Sequence, residues 1–287
     1  MGSIILSLMC ALTSIIWPIY SHETFFEIVE DFDDDALNCP KGKKKGLEWD
    51  LAVVSVFQNE AKWLKEWLEF HKVVGVEHFY LYNNMSSDDF YSVLKPYLDS
   101  GEVELFDWPF SYQDGKEGFW IKVQTDAIND AVSRAKERAK WLAIIDIDEF
   151  LVPVKYNTIT DLLTSYEKII PRLSQVSLRW VMFGTSDVAE IPSNRLMIEM
   201  LTKNSGKNKE ALYKSIVKPK DVVECGNTHY CALEKRRKSE FAPFEHAQIN
   251  HYWTRDELFL TEVKIARREK IGYSTDVVLK WAEDFNL

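Results

Sequence analysis

Three carboxylates close the segment WLAIIDIDEF, residues 141–150: Asp146, Asp148 and Glu149. Like charges gather in a partly dehydrated place only where something positive offsets them. A divalent cation does so directly, and hard oxygen donors suit Mg2+ or Mn2+. Such an ion can in turn hold the two phosphates of a nucleotide. Pairing with Arg or Lys is an alternative, as is an acid–base couple in a hydrolase. The apolar run WLAIIDI (141–147) reads as a buried strand, and strand side chains alternate faces. Asp146 and Asp148 are therefore expected on one side and Glu149 on the other. A D-x-D triplet alone is a weak signal; its place at a strand end gives it force.

Those acids need elements to position them. LAVVSVF (51–57), HFYLYNN (78–84) and VELFDW (103–108) are short apolar strands like WLAIIDI. Helices are expected between them at 60–74, 86–98 and 119–139. In the first, Trp63, Leu64, Trp67, Leu68, Phe70 and Val74 form one stripe, and Gly75 ends it. SSDD (86–89) supplies N-cap residues for the second. Apolar strands joined by helical crossovers predict an α/β fold: a Rossmann-type, mostly parallel sheet flanked by helices. Ligands of such sheets bind at the carboxyl ends of the strands, where the acids sit. Beyond residue 150 a helix is expected at 158–168, strands at 177–183, 212–217 and 247–253, and a helix at 255–271.

Composition narrows the function. The net charge of −10 argues against a nucleic-acid partner, which calls for a basic patch, but leaves room for a small phosphorylated ligand. Ten Trp, twelve Tyr and sixteen Phe supply rings that pack cores first and can stack on sugars or bases. None of the four cysteines forms a CxxC pair, so a zinc ribbon is excluded. Cys225 and Cys231 are compatible with a disulfide or with two free thiols. Residues 1–21 carry no charged side chain and read as a signal peptide or membrane anchor, implying a membrane-associated or exported protein. Residues 22–49, with EDFDDD (30–35) and KGKKK (41–45), read as a charged linker. Residues 50–287 form the catalytic-size domain.

VFQNEAKWLKEWLEFHKVVGVEHFYLYNN (56–84) resembles the opening of glycosyltransferases of family 92 and the related family-2-like group. WLAIIDIDEFLVP (141–153) is similar to their D-x-D-E-F block. LRWVMFGTS (178–186), KSIVKP (214–219), THY (228–230) and INHYWTRDELFLTEVK (249–264) follow in the same order. The resemblance covers about residues 50–270. It implies a GT-A-type fold, here preceded by the N-terminal hydrophobic segment already read from residues 1–21, and Asp146 and Asp148 holding the metal–diphosphate, for which the donor types suggest Mn2+ or Mg2+. It also implies a UDP-sugar donor, inversion at the anomeric carbon, and a glycan or glycoconjugate acceptor.

Further site candidates follow. Asn59 and Glu60 lie after the first strand, where a base or ribose would sit; Glu60 is equally a helix-terminal carboxylate. Asn83 and Asn84 end the second strand, followed by Ser86 and Asp88. Trp120, Lys122 and Gln124 open the long helix, where a ring would stack on a sugar and a cation meet phosphate. His251 is a candidate metal ligand with His229 as its rival. Lys214, Arg179 and Lys264 are candidate diphosphate partners. An inverting transferase needs a carboxylate base; Asp187 is the first candidate, Glu190 the second, and Glu149 either serves or orients the site. Other readings are a metal-dependent hydrolase and a non-catalytic sugar- or nucleotide-binding protein of the same fold.

Overall fold

β1 (Trp49–Phe57) is buried along most of its length and pairs in parallel with β2 (His78–Asn83) and β4 (Ala139–Ile144). β3 (Val103–Asp107) extends β2, also in parallel. The computed structural model describes residues 46–110, 117–205, 212–270 and 272–286, with only the backbone of 117–120. Residues 1–21 and nearly all of the 22–49 segment lie outside these. Among the described residues no helix is long and apolar enough to cross a membrane.

The crossovers are α1 (Ala61–Val73), α2 (Phe90–Ser100) and α3 (Glu117–Ala135). α1 buries Trp63, Leu64, Trp67, Leu68 and Phe70, the expected stripe, together with Glu66 and His71. Gly75 follows it at φ +101, and a Cβ there would meet Thr160 Oγ1 at 2.8 Å, so only glycine fits. α2 begins later than expected, and Gly101 caps it in the left-handed conformation.

The second half of the sheet departs from the parallel pattern. β5 (Glu149–Pro153) follows β4 through a turn and crosses to the far edge. The order is β3-β2-β1-β4-β7-β6-β11-β5, with β10 (Lys238–Phe241) also on β6 (Leu173–Met182). β7 (Tyr213–Val217) runs antiparallel to both β4 and β6; β11 (Ala247–His251) is parallel to β6 and antiparallel to β5. β8 (Val222–Glu224) and β9 (Ala232–Leu233) form a separate ribbon. The fold is thus mixed α/β, parallel from β3 to β4 and mixed beyond.

α4 (Ile159–Ile169) starts at a capping box: the Thr158 hydroxyl accepts from the Asp161 amide and the Asp161 carboxylate from the Thr158 amide. α5 (Met197–Met200) is a single turn. The helix expected at 255–271 is broken into α6 (Glu257–Phe259), a π-helical turn (Leu260–Lys264) and α7 (Ile265–Glu269). α8 (Thr275–Phe285), not foreseen, packs Val278, Ala282 and Phe285 against Trp253 and Met182.

Candidate active site

The strand carrying the opening acids stops at Ile144, three residues earlier than the apolar pattern suggests. Asp146 and Asp148 stand in the turn between β4 and β5, and Glu149 begins β5. Period-two alternation therefore does not govern them, and the expectation that Glu149 faces away is corrected. The reason is electrostatic: a turn lets the carboxylates reach cations on other elements, which the interior of a parallel strand would not.

α1 supports this turn from below. The Trp67 indole N–H donates to the carbonyls of Asp146 (3.2 Å) and Glu149 (2.9 Å). His71 accepts the Leu151 amide through Nε2 (3.2 Å), its Nδ1 lying 2.8 Å from the Trp67 carbonyl oxygen. Above the turn, the Tyr252 amide donates to the Asp148 carbonyl (2.8 Å), tying the turn to the end of β11.

The side chains then converge. Lys214 of β7 donates to Asp146 Oδ2 (2.9 Å) and lies 3.6 Å from Glu149 Oε2. Glu149 Oε2 also accepts the Asp146 amide (2.9 Å). Lys264, ending the π-helical turn, donates to Asp148 Oδ2 at 3.3 Å, and its ammonium rests 4.8 Å from the Trp253 ring centre. His251, the last residue of β11, places Nε2 3.3 Å from Asp148 Oδ1 and Nδ1 3.9 Å from Glu149 Oε1. Lys264 thus lies in a π-helical turn, a form that recurs at functional sites.

Burial pushes the Asp148 carboxyl up, but Lys264 and His251 more than reverse this and hold it well below the usual range. Burial holds Glu149 well above its usual value; Lys214 opposes this, while the charges of Asp146 and Asp148 add to it. Burial tends to lower Lys214, but Asp146 and Glu149 raise it overall. Burial lowers Lys264 to about 8, with Asp148 opposing. Two aspartates thus face two ammonium groups, with Glu149 buried between them and Lys214. Only Asp146 offers substantial exposure, with 36% of its side chain accessible.

Other predicted residues lie elsewhere. Asn59 sits at φ 55, where its Oδ1 accepts the Ser87 amide (2.7 Å). Asn83 Oδ1 accepts the Ser86 amide, and Asn84 Nδ2 donates to the carbonyls of Trp108 and Phe110. Asp88 accepts the Ala61 amide (2.7 Å), so it caps α1 rather than its own helix. These side chains hold one loop to another. Glu60 is buried against Arg255 (2.5 Å) and Arg267 (3.8 Å). Burial raises its carboxyl pKa and Arg255 pulls it partway back. Lys122 pairs with Asp126 on the exposed face of α3, and the side chain of Trp120 lies outside the described residues. Arg179 stacks against Phe241 and Phe244, away from the acids.

Asp187 and Glu190 stand on the loop after β6, 68% and 63% exposed, paired with Lys203 and Lys62. The described residues show no contact between them and the turn. His229 is half-buried, its Nδ1 2.7 Å from the Tyr213 carbonyl oxygen. It lies in a loop closed by a Cys225–Cys231 disulfide, resolving the pairing the sequence leaves open. Arg255 and Trp180 were not singled out in advance; their sole signal was their place inside the INHYWTRDELF and LRWVMF blocks.

Among the described residues no group of three or more His, Cys, Asp or Glu is arranged to hold a metal ion. The donor types at the turn nevertheless suit one. Glu149 Oε1 and His251 Nδ1 are buried without a hydrogen-bond partner, beside two aspartates held by side chains: Asp146 by Lys214, Asp148 by Lys264 and His251.

Comparison with known proteins bears on this arrangement. Residues 52–283 match the family model for Glycosyltransferase family 92. A family 92 protein of Oryza sativa subsp. japonica is 29% identical over 171 residues, covering 59% of this chain and 27% of that protein. A β-1,4-galactosyltransferase of Caenorhabditis elegans is 30% identical over 108 residues, 36% of this chain and 25% of that protein. The chain therefore spans about a quarter of the length of these relatives. Among solved structures, a mannosyltransferase of Pyrobaculum calidifontis in complex with GDP-Man and Mn2+ overlaps 98% of this chain and 81% of its own, at TM-score 0.41 and 10% identity.

Proposed function

The chain belongs to glycosyltransferase family 92, and we propose that it moves a hexose from a nucleotide-diphosphate donor, a UDP-sugar, to a glycan or glycoconjugate hydroxyl with inversion. The fold is read as GT-A type. The observation that carries this reading is the turn cluster: Asp146, Asp148 and Glu149 beside Lys214, Lys264 and His251 at the end of a buried sheet. The galactosyltransferase name of the C. elegans relative makes UDP-galactose the first donor to try.

Asp146, Asp148 and His251 would hold a divalent cation, which when bound supplies Lewis-acid neutralisation of the leaving diphosphate. Lys214 and Lys264 add positive charge in a dehydrated place, where it acts more strongly on phosphate oxygens than in water. Glu149, wholly buried, serves as a positioning group: it orients the Asp146 backbone and Lys214. A base for the acceptor hydroxyl must be reachable by that hydroxyl. Asp187 and Glu190 keep this role in our reading, because their loop leaves the same sheet end as His251, which pairs with Met182 in register.

The hydrophobic N-terminal segment would deliver the protein to a membrane or export route. The disulfide supports an oxidising compartment, since such bonds are rare where thiols are kept reduced. A thermal-shift screen of UDP-, GDP- and CMP-sugars with and without Mn2+ tests the whole reading. Metal-dependent stabilisation by one nucleotide sugar, and its transfer to an added glycan, is the expected result. Release of free sugar with no need for an acceptor would favour a hydrolase instead.

A further inference from the structure

A line of rings leads away from the acidic turn. His251 meets Trp180 at 4.3 Å between ring centres, and Trp180 meets His229 at 5.7 Å. His229 meets Tyr213 at 5.9 Å, and Tyr213 meets Phe241 at 5.0 Å. The line crosses β11, β6, β7 and β10 and ends on Phe241, 40% exposed. The disulfide Cys225–Cys231 fixes the loop carrying His229, the middle link. The Arg179 guanidinium lies over Phe241 at 4.9 Å and stiffens the outer end.

The geometry points to this line as a binding platform for an extended, neutral acceptor glycan whose reacting end lies at Asp148 and His251. The assignment rests on the transferase reading and adds to it where the acceptor lies and that it is an extended chain. A single exposed ring would mean nothing, since scattered apolar side chains are normal on a surface. Four rings that are at least partly exposed, Trp180, His229, Tyr213 and Phe241, running in unbroken contact from a buried proposed metal ligand, are different. Tyr, Trp and His present an apolar body with a polar tip, matching the apolar face and hydroxyl rim of a pyranose. A single sugar would touch only the innermost rings; the outer ones acquire a use only with a longer chain. Strand addition is a poorer fit for this face, because β10 places Lys238 and Glu240 along its exposed edge, charges that discourage pairing.

Affinity electrophoresis of the full chain in gels containing soluble galactan, xylan, glucan or mannan tests the platform. The wild type should be retarded by at least one polysaccharide. Phe241→Ala should weaken that retardation by about tenfold in apparent Kd, and Phe241→Trp should restore it. Tyr91→Ala, on an exposed ring of α2, should leave it unchanged. The hexasaccharide of the retarding polymer should bind more tightly than its monosaccharide. No retardation by any polymer, or equal retardation of Phe241→Ala, overturns the proposal. Self-association lost in Phe241→Ala without polysaccharide retardation would assign the face to a second copy and overturn it too. Ring-dependent binding with no transfer from any nucleotide sugar would leave the platform standing and sink the transferase reading.

Discussion

Acids in this chain are satisfied in two ways. In and around α1, backbone amides satisfy the polar side chains: Asp88 takes the amide of Ala61, and Glu66 those of Met197 and Ile198 (both 2.9 Å). At the β4–β5 turn, Asp146 and Asp148 are met by ammonium groups on side chains. Backbone amides are fixed by the fold and cannot leave, so acids held by them are spent on structure. Side-chain cations can exchange one anion for another, so acids held by them remain open to a ligand. Glu60 lies between the two cases, fully buried against a guanidinium that is itself locked among Trp63 and Phe259.

Replacing Asp148 by Asn tests the exchangeable side of that contrast. Transfer should fall by about a thousandfold with the circular dichroism spectrum retained; near-normal turnover of the variant with metal present would end the assignment. Glu60→Gln probes the intermediate case. Leaving Arg255 buried without its counter-charge should cost about 3–5 kcal/mol in urea unfolding, with little change in donor affinity. Intact stability combined with lost donor binding would move Glu60 to the functional side.

Glu66 tests the amide-held side through pH. Burial raises its carboxyl to about 7 from an ordinary 4.5, with the two amides partly opposing. The folded state therefore holds the proton more tightly than the unfolded chain. That contribution is full below pH 4.5 and is lost as pH rises through about 7, a fall of roughly 3 kcal/mol. Stability measured from pH 4.5 to 7.5 should lose this slope in Glu66→Gln; an unchanged slope would assign it to other groups. The smallest effect belongs to Asp88→Ala, about 1 kcal/mol for a lost α1 cap, read in the same urea titration with kcat unaltered. A large loss of kcat would mean that the loop touches substrate.

The four parallel strands and their crossovers were legible because each is a local pattern: an apolar run, a helical stripe, a glycine at a required φ. The gathering of Asp146 and Asp148 beyond a buried strand was legible, and Lys214, Lys264 and His251 were singled out before the fold placed them beside it. For Asn59, Asn83 and Lys122 residue type alone recorded nothing of their partners, Ser87, Ser86 and Asp126. The strand at 212–217 was legible as β7, but β5 and the antiparallel direction of β7 were hidden, since nothing in a short apolar run records the direction of its neighbour. α8 and the π-helical turn were missed because a break in helical period is too small to stand out from ordinary polar residues.

The amino-acid order by itself determined which segments are buried and that acids gather just beyond one of them. Those follow from hydrophobicity and backbone sterics acting over a few residues. Tertiary structure alone decided which acids are spent and which remain exchangeable. Their partners are 68 residues away for Asp146 with Lys214 and 116 for Asp148 with Lys264. Electrostatic energy depends on distance and burial in space, and neither is written along the chain.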